Sequence, residues 1–353
     1  MRIAQVAPLT ESVPPALYGG TERIVSYLTE ELVAQGHDVT LFASGDSRTA
    51  ARLVPCAPRS LRLARTRDQI PVHLVMLEEV RRLADAFDVL HFHVDLLHYP
   101  LIREFAHHTV TTLHGRLDLP ELHPLYRTFD RVPLVSISDS QRRPMPPVNW
   151  VGRVHHGLPQ DLLRPVAAPQ GDYLAFLGRI SPEKRPDRAI EIAVRSGREL
   201  RIAAKIDRVD QEYWREVVEP LVKQHRNVRF VGEIGDSDKA AFLGNASALL
   251  FPIDWSEPFG LVMIEAMACG TPVIAWNCGS VPEVIDPGVT GFVVDGLDAA
   301  VSAVGLAGNL DRGRIRATFD ARFTAARMAS DYVAIYRRLL ATPEAGGAWR
   351  AAE

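Results

Sequence analysis

One pattern limits the possible folds more than any other, and it runs the length of the chain. The β-rich run "RIAQVAP" is followed by the helical period "TERIVSYLTEELVAQG" and then by the β-rich "HDVTLFAS": strand, helix, glycine stop, strand. Ile24, Val25, Leu28, Leu32 and Val33 share one helical face, Thr21 is placed to cap it, and Gly36 stands where a left-handed residue closes it. The same grammar predicts helices in "VHLVMLEEVRRLADAF" and "LLHYPLIREFAHH", and strands in "DVLHFH", "TVTTLHG", "PLVSISDS" and "GRVHHGLP". Alternation of this kind gives a doubly wound α/β sheet, with ligand sites outside the carboxyl ends of its strands.

After the proline-rich "DLLRPVAAPQGD" the grammar starts again. Strands are expected in "YLAFLG", "LRIAAKI", "VRFVGE", "ALLFPI", "PVIAW" and "GFVVD", and helices in "RPDRAIEIAVRSG", "EYWREVVEPLVKQH", "KAAFLGNA", "LVMIEAMACG" and "SVPEVI". A chain of 353 residues suits two domains of common size. The expected division is a Rossmann-like domain at 1–160, a linker at 161–171, a second Rossmann-like domain at 172–325, and a helix and tail at 326–353. That last helix carries Met328, Tyr332, Ile335 and Leu339 at helical spacing and can pack on either domain, including back onto the first. Two such halves are expected to face each other across a hinged cleft.

The net charge of −3 leaves no broad electrostatic footprint for nucleic acid, so an anionic ligand needs a local cluster of donors. Cys56, Cys269 and Cys278 lack paired spacing, as reduced structural thiols of a cytoplasmic protein would. The first residues make no signal peptide and no stretch reaches the length of a membrane span, although peripheral membrane contact stays open. Arg59, Arg62, Arg65 and Arg67 read as a solvated loop or helix face.

Three stretches carry chemistry. In "YGGTER", Gly19 and Gly20 lead from the first strand into a helix, so backbone can approach an anion at a helix start. In "FLGRISPEKRP", a strand ends at Gly178 and sends Arg179 and Lys184 toward one strand end, a pair suited to a diphosphate. In "DWSEPFGLVMIEAMACG", a Pro258-Gly260 turn precedes a helix stopped by Gly270. The amides of Phe259, Gly260 and Leu261 lie at that helix start, with Glu257 just before it and Glu265 about a turn inside. Glu265 has apolar neighbours, so its carboxylate needs a hydrogen-bonding partner.

With these residues the chain resembles the retaining family 4 glycosyltransferases of the GT-B fold, and the opening "APLTESVPPALYGGTERIVSYLTEELVAQGHDVTLFA" resembles a compact branch with pterin and antibiotic-tailoring sugar transferases. The resemblance implies two Rossmann-like domains and a nucleotide-sugar donor. Arg179 and Lys184 match its diphosphate pair, Glu257 the glutamate facing the transferred sugar, and Glu265 the one holding the ribose. Phe259, Gly260 and Leu261 match the turn on sugar and phosphate, Gly20 an approach from the first domain, and Gly232 to Ile234 the base edge. His114 in "TLHG" matches a histidine bonding a sugar hydroxyl or the acceptor. "EKRP" departs from the usual Lys-Gly ending and "VHHGLP" from the usual Asn-Gly; His156 there is read as structural.

The implied reaction moves a hexosyl group, UDP-glucose being the preferred donor, to a small-molecule or glycan hydroxyl with retention. The acceptor attacks from the face the leaving group departs, and a donor phosphate oxygen takes its proton. Glu11, His93, Asp95 and Asp118 are candidate acceptor contacts. No cofactor and no metal are expected: "HFH" at His91 and His93 lacks a third ligand, and in "GDSD" Asp236 or Ser237 reads as a helix cap. A nucleotide-sugar epimerase and an inactive nucleotide-sugar-binding protein are the alternatives.

Overall fold

The computed structural model describes residues 1–16, 19–102, 105–169 and 172–341. Two compact units result, one built from Met1–Gly157 with the helix Ala325–Ala341, the other from Leu158–Thr324. In the first, β1 (Arg2–Val6), β2 (Asp38–Ser44), β3 (Arg52–Ala57), β4 (Val89–Phe92), β5 (Thr109–Thr112), β6 (Leu134–Ser136) and β7 (Trp150–Arg153) form a sheet ordered β3-β2-β1-β4-β5-β6-β7. Every pairing is parallel, so both faces are covered and Ile3–Val6 and Val39–Ser44 are buried without a break. The order reverses between β1 and β4, which opens a crevice beyond their carboxyl ends.

The second unit repeats the design. Its strands β8 (Tyr173–Arg179), β9 (Glu199–Lys205), β10 (Val228–Gly232), β11 (Ala248–Phe251), β12 (Val273–Trp276) and β13 (Gly291–Val294) are ordered β10-β9-β8-β11-β12-β13, reversing between β8 and β11. Along β8 the residues from Tyr173 to Phe176 are buried and those from Leu177 on are not. Exposure begins at the carboxyl end, where Arg179 stands.

Several sequence expectations are corrected. Thr21 is inside the helix Gly20–Ala34, which starts from Gly19 with no side-chain cap, and Gly235 rather than Asp236 or Ser237 precedes Asp236–Gly244. The helix expected in "LLHYPLIREFAHH" is a set of turns and one 3-10 turn, Ala106–His108, because Pro100 removes a donor and Asp95 has φ 50°; Arg103 and Glu104 lie outside the described residues. The run "EYWREVVEPLVKQH" is helical but carries a π-turn at Trp214–Val218, just before Pro220. Beyond the expected elements, the structure adds strand β3, a half-exposed edge holding Pro55 that gives no clean strand pattern, and the helices Leu297–Ala307 and Arg312–Arg322.

The stretch expected to link the domains at 161–171 begins inside the second unit. Leu158 bridges Thr324, Leu163 is buried, and the Arg316 guanidinium donates to the carbonyls of Gln160 and Leu163 at 2.8 and 2.7 Å. Gln170 and Gly171 fall outside the described residues, as does the tail at 342–353. The helix Ala325–Ala341 belongs to the first unit. It buries Met328, Tyr332, Ile335 and Tyr336, leaves Leu339 half-buried, and seats Ile335 so close to Gly152 that any side chain there would overlap it.

Candidate functional site

The second unit's switch point is framed by the loops after β8 and β11, and hydrogen bonds lace them together. The Asp254 amide donates to the Glu183 carbonyl at 2.8 Å, and Arg185 reaches Asp254 at 2.8 Å while also forking onto Asp187. Within this frame the Lys184 ammonium pairs with the Glu257 carboxylate and lies 5.2 Å from the Trp255 ring and 5.5 Å from the Phe251 ring. Trp255 Nε1 donates to the same Glu257 oxygen at 3.1 Å. Arg179 pairs with Glu183, lies 3.4 Å from Asp210, and approaches Asp207 at 3.9 Å. Arg179, Lys184 and Glu257 therefore share one strand end, with each cation held by carboxylates.

Glu257 owes its placement to the loop after β12. The Ser280 amide donates to the Glu257 carbonyl at 3.0 Å, the Ser280 hydroxyl donates to the Phe259 carbonyl at 2.7 Å, and Gly279, at φ 59°, lies against the Glu257 backbone. A Cβ at Gly279 would overlap that backbone and sit in a left-handed conformation as well. Gly279→Ala should thus cost about 2 kcal/mol or more and displace Glu257, measurable as a melting-point drop with weakened nucleotide-sugar binding. Unchanged binding would show that this loop does not set the Glu257 position.

Gly260, at φ 79°, precedes the helix Leu261–Ala268, whose first-turn amides have no partner carbonyl within the helix. Phe259 is buried, so of the Phe259-Gly260-Leu261 turn it is the backbone that matters. Glu265 is buried, and the partner its apolar setting demanded is Lys239, 2.8 Å away. Gly232 ends the edge strand β10 at φ 81° beside the half-buried Ile234. Lys239, Trp255 and Ser280 carry no signal in the sequence beyond their type, and Gly279 only that of a glycine just before a short helix.

In the first unit, Gly19 leads into Gly20–Ala34 at the carboxyl end of β1, and Glu22 is buried in that helix's first turn. Burial raises the Glu22 carboxyl above its usual range, against the pull of the Glu22 and Glu11 amides; the Glu11 amide donates to it at 3.3 Å. Glu11 is itself buried and paired with Arg62 at 2.9 Å. Asp118 is forked by Arg116 at 2.7 and 2.8 Å, which holds its carboxyl low, and Asp95 accepts from the His114 amide.

His114 and His93 are brought together at the ends of β5 and β4, 2.9 Å apart through Nε2 and Nδ1. His93 also bonds Gln5 at 2.8 Å, and His91 bonds Tyr336 and Thr112, each at 2.7 Å. Ordinary hydrogen bonds therefore occupy both ring nitrogens of the "HFH" pair. Desolvation pushes His114 down to about 3 and drives His91 and His93 well below the usual histidine range. The buried His156 stacks on His114 at 5.3 Å. The three cysteines are free, and burial raises Cys56 and Cys269 to about 12, so both are inert thiols at neutral pH.

Comparison with known proteins fits this geometry. The family model for glycosyl transferases group 1 matches residues 164–316, the half holding the Lys184–Glu257 pair, and that for glycosyltransferase family 4 matches residues 18–143. The chain is 36% identical over 162 residues to D-inositol 3-phosphate glycosyltransferase of Streptomyces scabiei, covering 43% of this chain but only 34% of that protein. It is 28% identical to phosphatidyl-myo-inositol mannosyltransferase of Mycobacterium leprae, across 86% of each chain. Among solved structures, HepE from Anabaena in complex with UDP superposes with a TM-score of 0.74 at 15% identity, covering 96% of this chain and 100% of that one. At that identity the match speaks to the fold, which is GT-B.

Proposed function

Because this chain belongs to family 4 of the glycosyltransferases, we propose that it transfers a hexosyl group from a nucleotide-diphosphate sugar to a hydroxyl of a small-molecule or glycan acceptor. The observation that carries the proposal is the pairing of Lys184 with Glu257, beside Arg179 and ahead of the Leu261–Ala268 helix, at the β8/β11 switch point. A diphosphate needs cations and helix-start amides, and a sugar needs a carboxylate that accepts from its hydroxyls. Both are supplied within a few residues of one another.

In the proposed reaction Arg179, Lys184 and the first-turn amides receive the departing diphosphate as its charge develops. Glu257 accepts from hydroxyls of the transferred sugar, Glu265 binds the ribose, and Gly232 to Ile234 meet the base. The acceptor oxygen bonds to the anomeric carbon on the face from which the diphosphate leaves, and a phosphate oxygen takes the acceptor's proton. Retention by double displacement needs a carboxylate free to attack. Glu257 is engaged by Lys184 and Trp255 and Glu265 by Lys239, which favours same-face attack. No cofactor beyond the donor and no metal enters this scheme. No described helix is long and apolar enough to cross a membrane.

UDP-glucose is the first donor to try. The names of the two enzymes matched above make inositol phosphates and phosphoinositides sensible members of an acceptor panel. A thermal-shift series with UDP, GDP, ADP and their sugars should give one clear stabilisation, since a ligand at 100 times its Kd contributes about 2.7 kcal/mol. No shift with any of them would remove the donor assignment. Product from the stabilising donor should keep the donor's anomeric configuration by NMR; an inverted product would refute same-face attack. Nucleotide release without an acceptor would point to an epimerase instead.

A further inference from the structure

Beneath the His114 ring, a file of hydrogen bonds crosses the first unit to the helix Ala325–Ala341. Gln5 fixes its direction, because its oxygen only accepts and its nitrogen only donates. The oxygen faces His93 Nε2 at 2.8 Å, so that nitrogen carries the proton and His93 Nδ1 is bare. A bare Nδ1 must accept from His114 Nε2, 2.9 Å away, which puts the His114 proton on Nε2. On the other side, the Gln5 nitrogen donates to the Tyr336 hydroxyl at 3.3 Å. Tyr336 in turn donates to His91 Nδ1 at 2.7 Å, and His91 Nε2–H donates to the Thr112 hydroxyl, also at 2.7 Å. The file ends with Thr112 against the Tyr332 hydroxyl at 2.9 Å. From His114 as far as the Thr112 hydroxyl, every donor points away from His114.

We propose that Gln5 and His93 are positioning residues that lock His114 as a neutral hydrogen-bond acceptor, so that its Nδ1 receives a hydroxyl of the substrate. The inference rests on the glycosyltransferase reading for what that hydroxyl belongs to, a sugar or polyol, but not for the tautomer. His114 Nδ1 is shielded from solvent and has no hydrogen-bond partner among the described residues, which marks it as an acceptor built for a donor from outside. A buried lone pair of this kind discriminates strongly, since a substrate lacking the matching hydroxyl leaves it unpaired. Alignment in one direction strengthens each bond in the file. Desolvation, which holds His114 down to about 3, keeps the ring neutral across the physiological range.

The test is the nitrogen NMR spectrum of the full chain labelled with ¹⁵N-histidine at pH 7, His114 being assigned by its loss in His114→Asn. The expected spectrum shows a bare Nδ1 and a protonated Nε2 on His114, unchanged with pH for as long as the first unit stays folded. A proton on Nδ1, or an imidazolium at pH 7, overturns the proposal whether or not the protein transfers sugar. Gln5→Leu removes the acceptor that sets the order. It should mix the two tautomers and raise KM for the donor or acceptor roughly tenfold, whereas Gln5→Glu, which keeps an oxygen toward His93, should restore both. Equal behaviour of Gln5→Leu and Gln5→Glu would reduce Gln5 to a packing role. Should Gln5→Leu fail to fold, the parent spectrum still decides. Absence of any sugar transfer beside the expected tautomer would sink the proposed function and leave the relay standing.

Discussion

Glu257→Gln should bind a nucleoside diphosphate more tightly than the parent protein while transferring sugar about 10²- to 10³-fold more slowly. The two effects pull in opposite directions because Glu257 has two relationships. Its carboxylate holds the Lys184 ammonium, side chains 12% and 19% exposed, so a diphosphate must compete with it for that cation. The amide leaves Lys184 uncommitted, and several-fold tighter UDP or GDP binding should follow. Turnover falls all the same, since an amide accepts sugar hydroxyls more weakly and does not offset the charge of a sugar turning cationic in the transition state. Lys184→Ala should lose both properties together: weaker nucleotide binding, and kcat down by about 10³, with Arg179 as the remaining cation beside the helix-start amides. Calorimetric titration of each variant with the nucleoside diphosphate, beside steady-state turnover, separates these cases. Weaker nucleotide binding by Glu257→Gln would mean that the carboxylate supports the diphosphate site rather than competing with it.

Legibility followed the range of the interactions. Strand–helix alternation revealed both sheets because a strand buried on both faces must be apolar throughout, as β1, β2 and β8 are along most of their length. Where that pressure is absent the pattern fades: β3 is a half-exposed edge strand that holds Pro55, and the turns after His93 are held by contacts such as His98 Nε2 with Thr111 at 2.7 Å, outside the local run. The candidate residues in "GRISPEKRP" and "EPFGLVMIE" were visible because each acts from its own loop. Their supports were not. Lys239 lies 26 residues from Glu265, and Gln5 lies 88 from His93, distances no local pattern encodes. Gly279 was the one support with a sequence trace, a glycine before a helix, whose reason is the backbone of Glu257. "HFH" is the converse case. Its alternation puts two rings on one strand face without a third ligand, and the fold uses both in a hydrogen-bonded file that reaches tyrosines of the helix Ala325–Ala341.

The same histidines should make the first unit fail in mild acid while the second endures. His91, His93, His98 and His156 are 4% exposed or less, and desolvation holds each below the usual range, His98 at about 3. A group whose folded pKa is depressed takes up its proton only on unfolding. Its stabilising contribution is therefore complete above the unfolded value of about 6.5 and drains as pH falls below it, at about 1.4 kcal/mol per unit for each histidine. From pH 7 to 5.5 these residues together withdraw about 5 kcal/mol, as much as the whole stability of many domains. Carboxylate ion pairs persist over that interval, so they do not mask the onset. His225 is the only histidine in Leu158–Thr324, so the second unit holds no comparable cluster of buried histidines. Scanning calorimetry between pH 7.5 and 5 should resolve two transitions, one falling steeply below about pH 6.5 and one nearly constant. His98→Gln, which keeps a donor for Thr111, should flatten the steep one by one proton's worth. Two transitions of equal pH sensitivity, or an onset only below about pH 4.5 where carboxylates titrate, would show that these histidines accept protons without unfolding the unit around them.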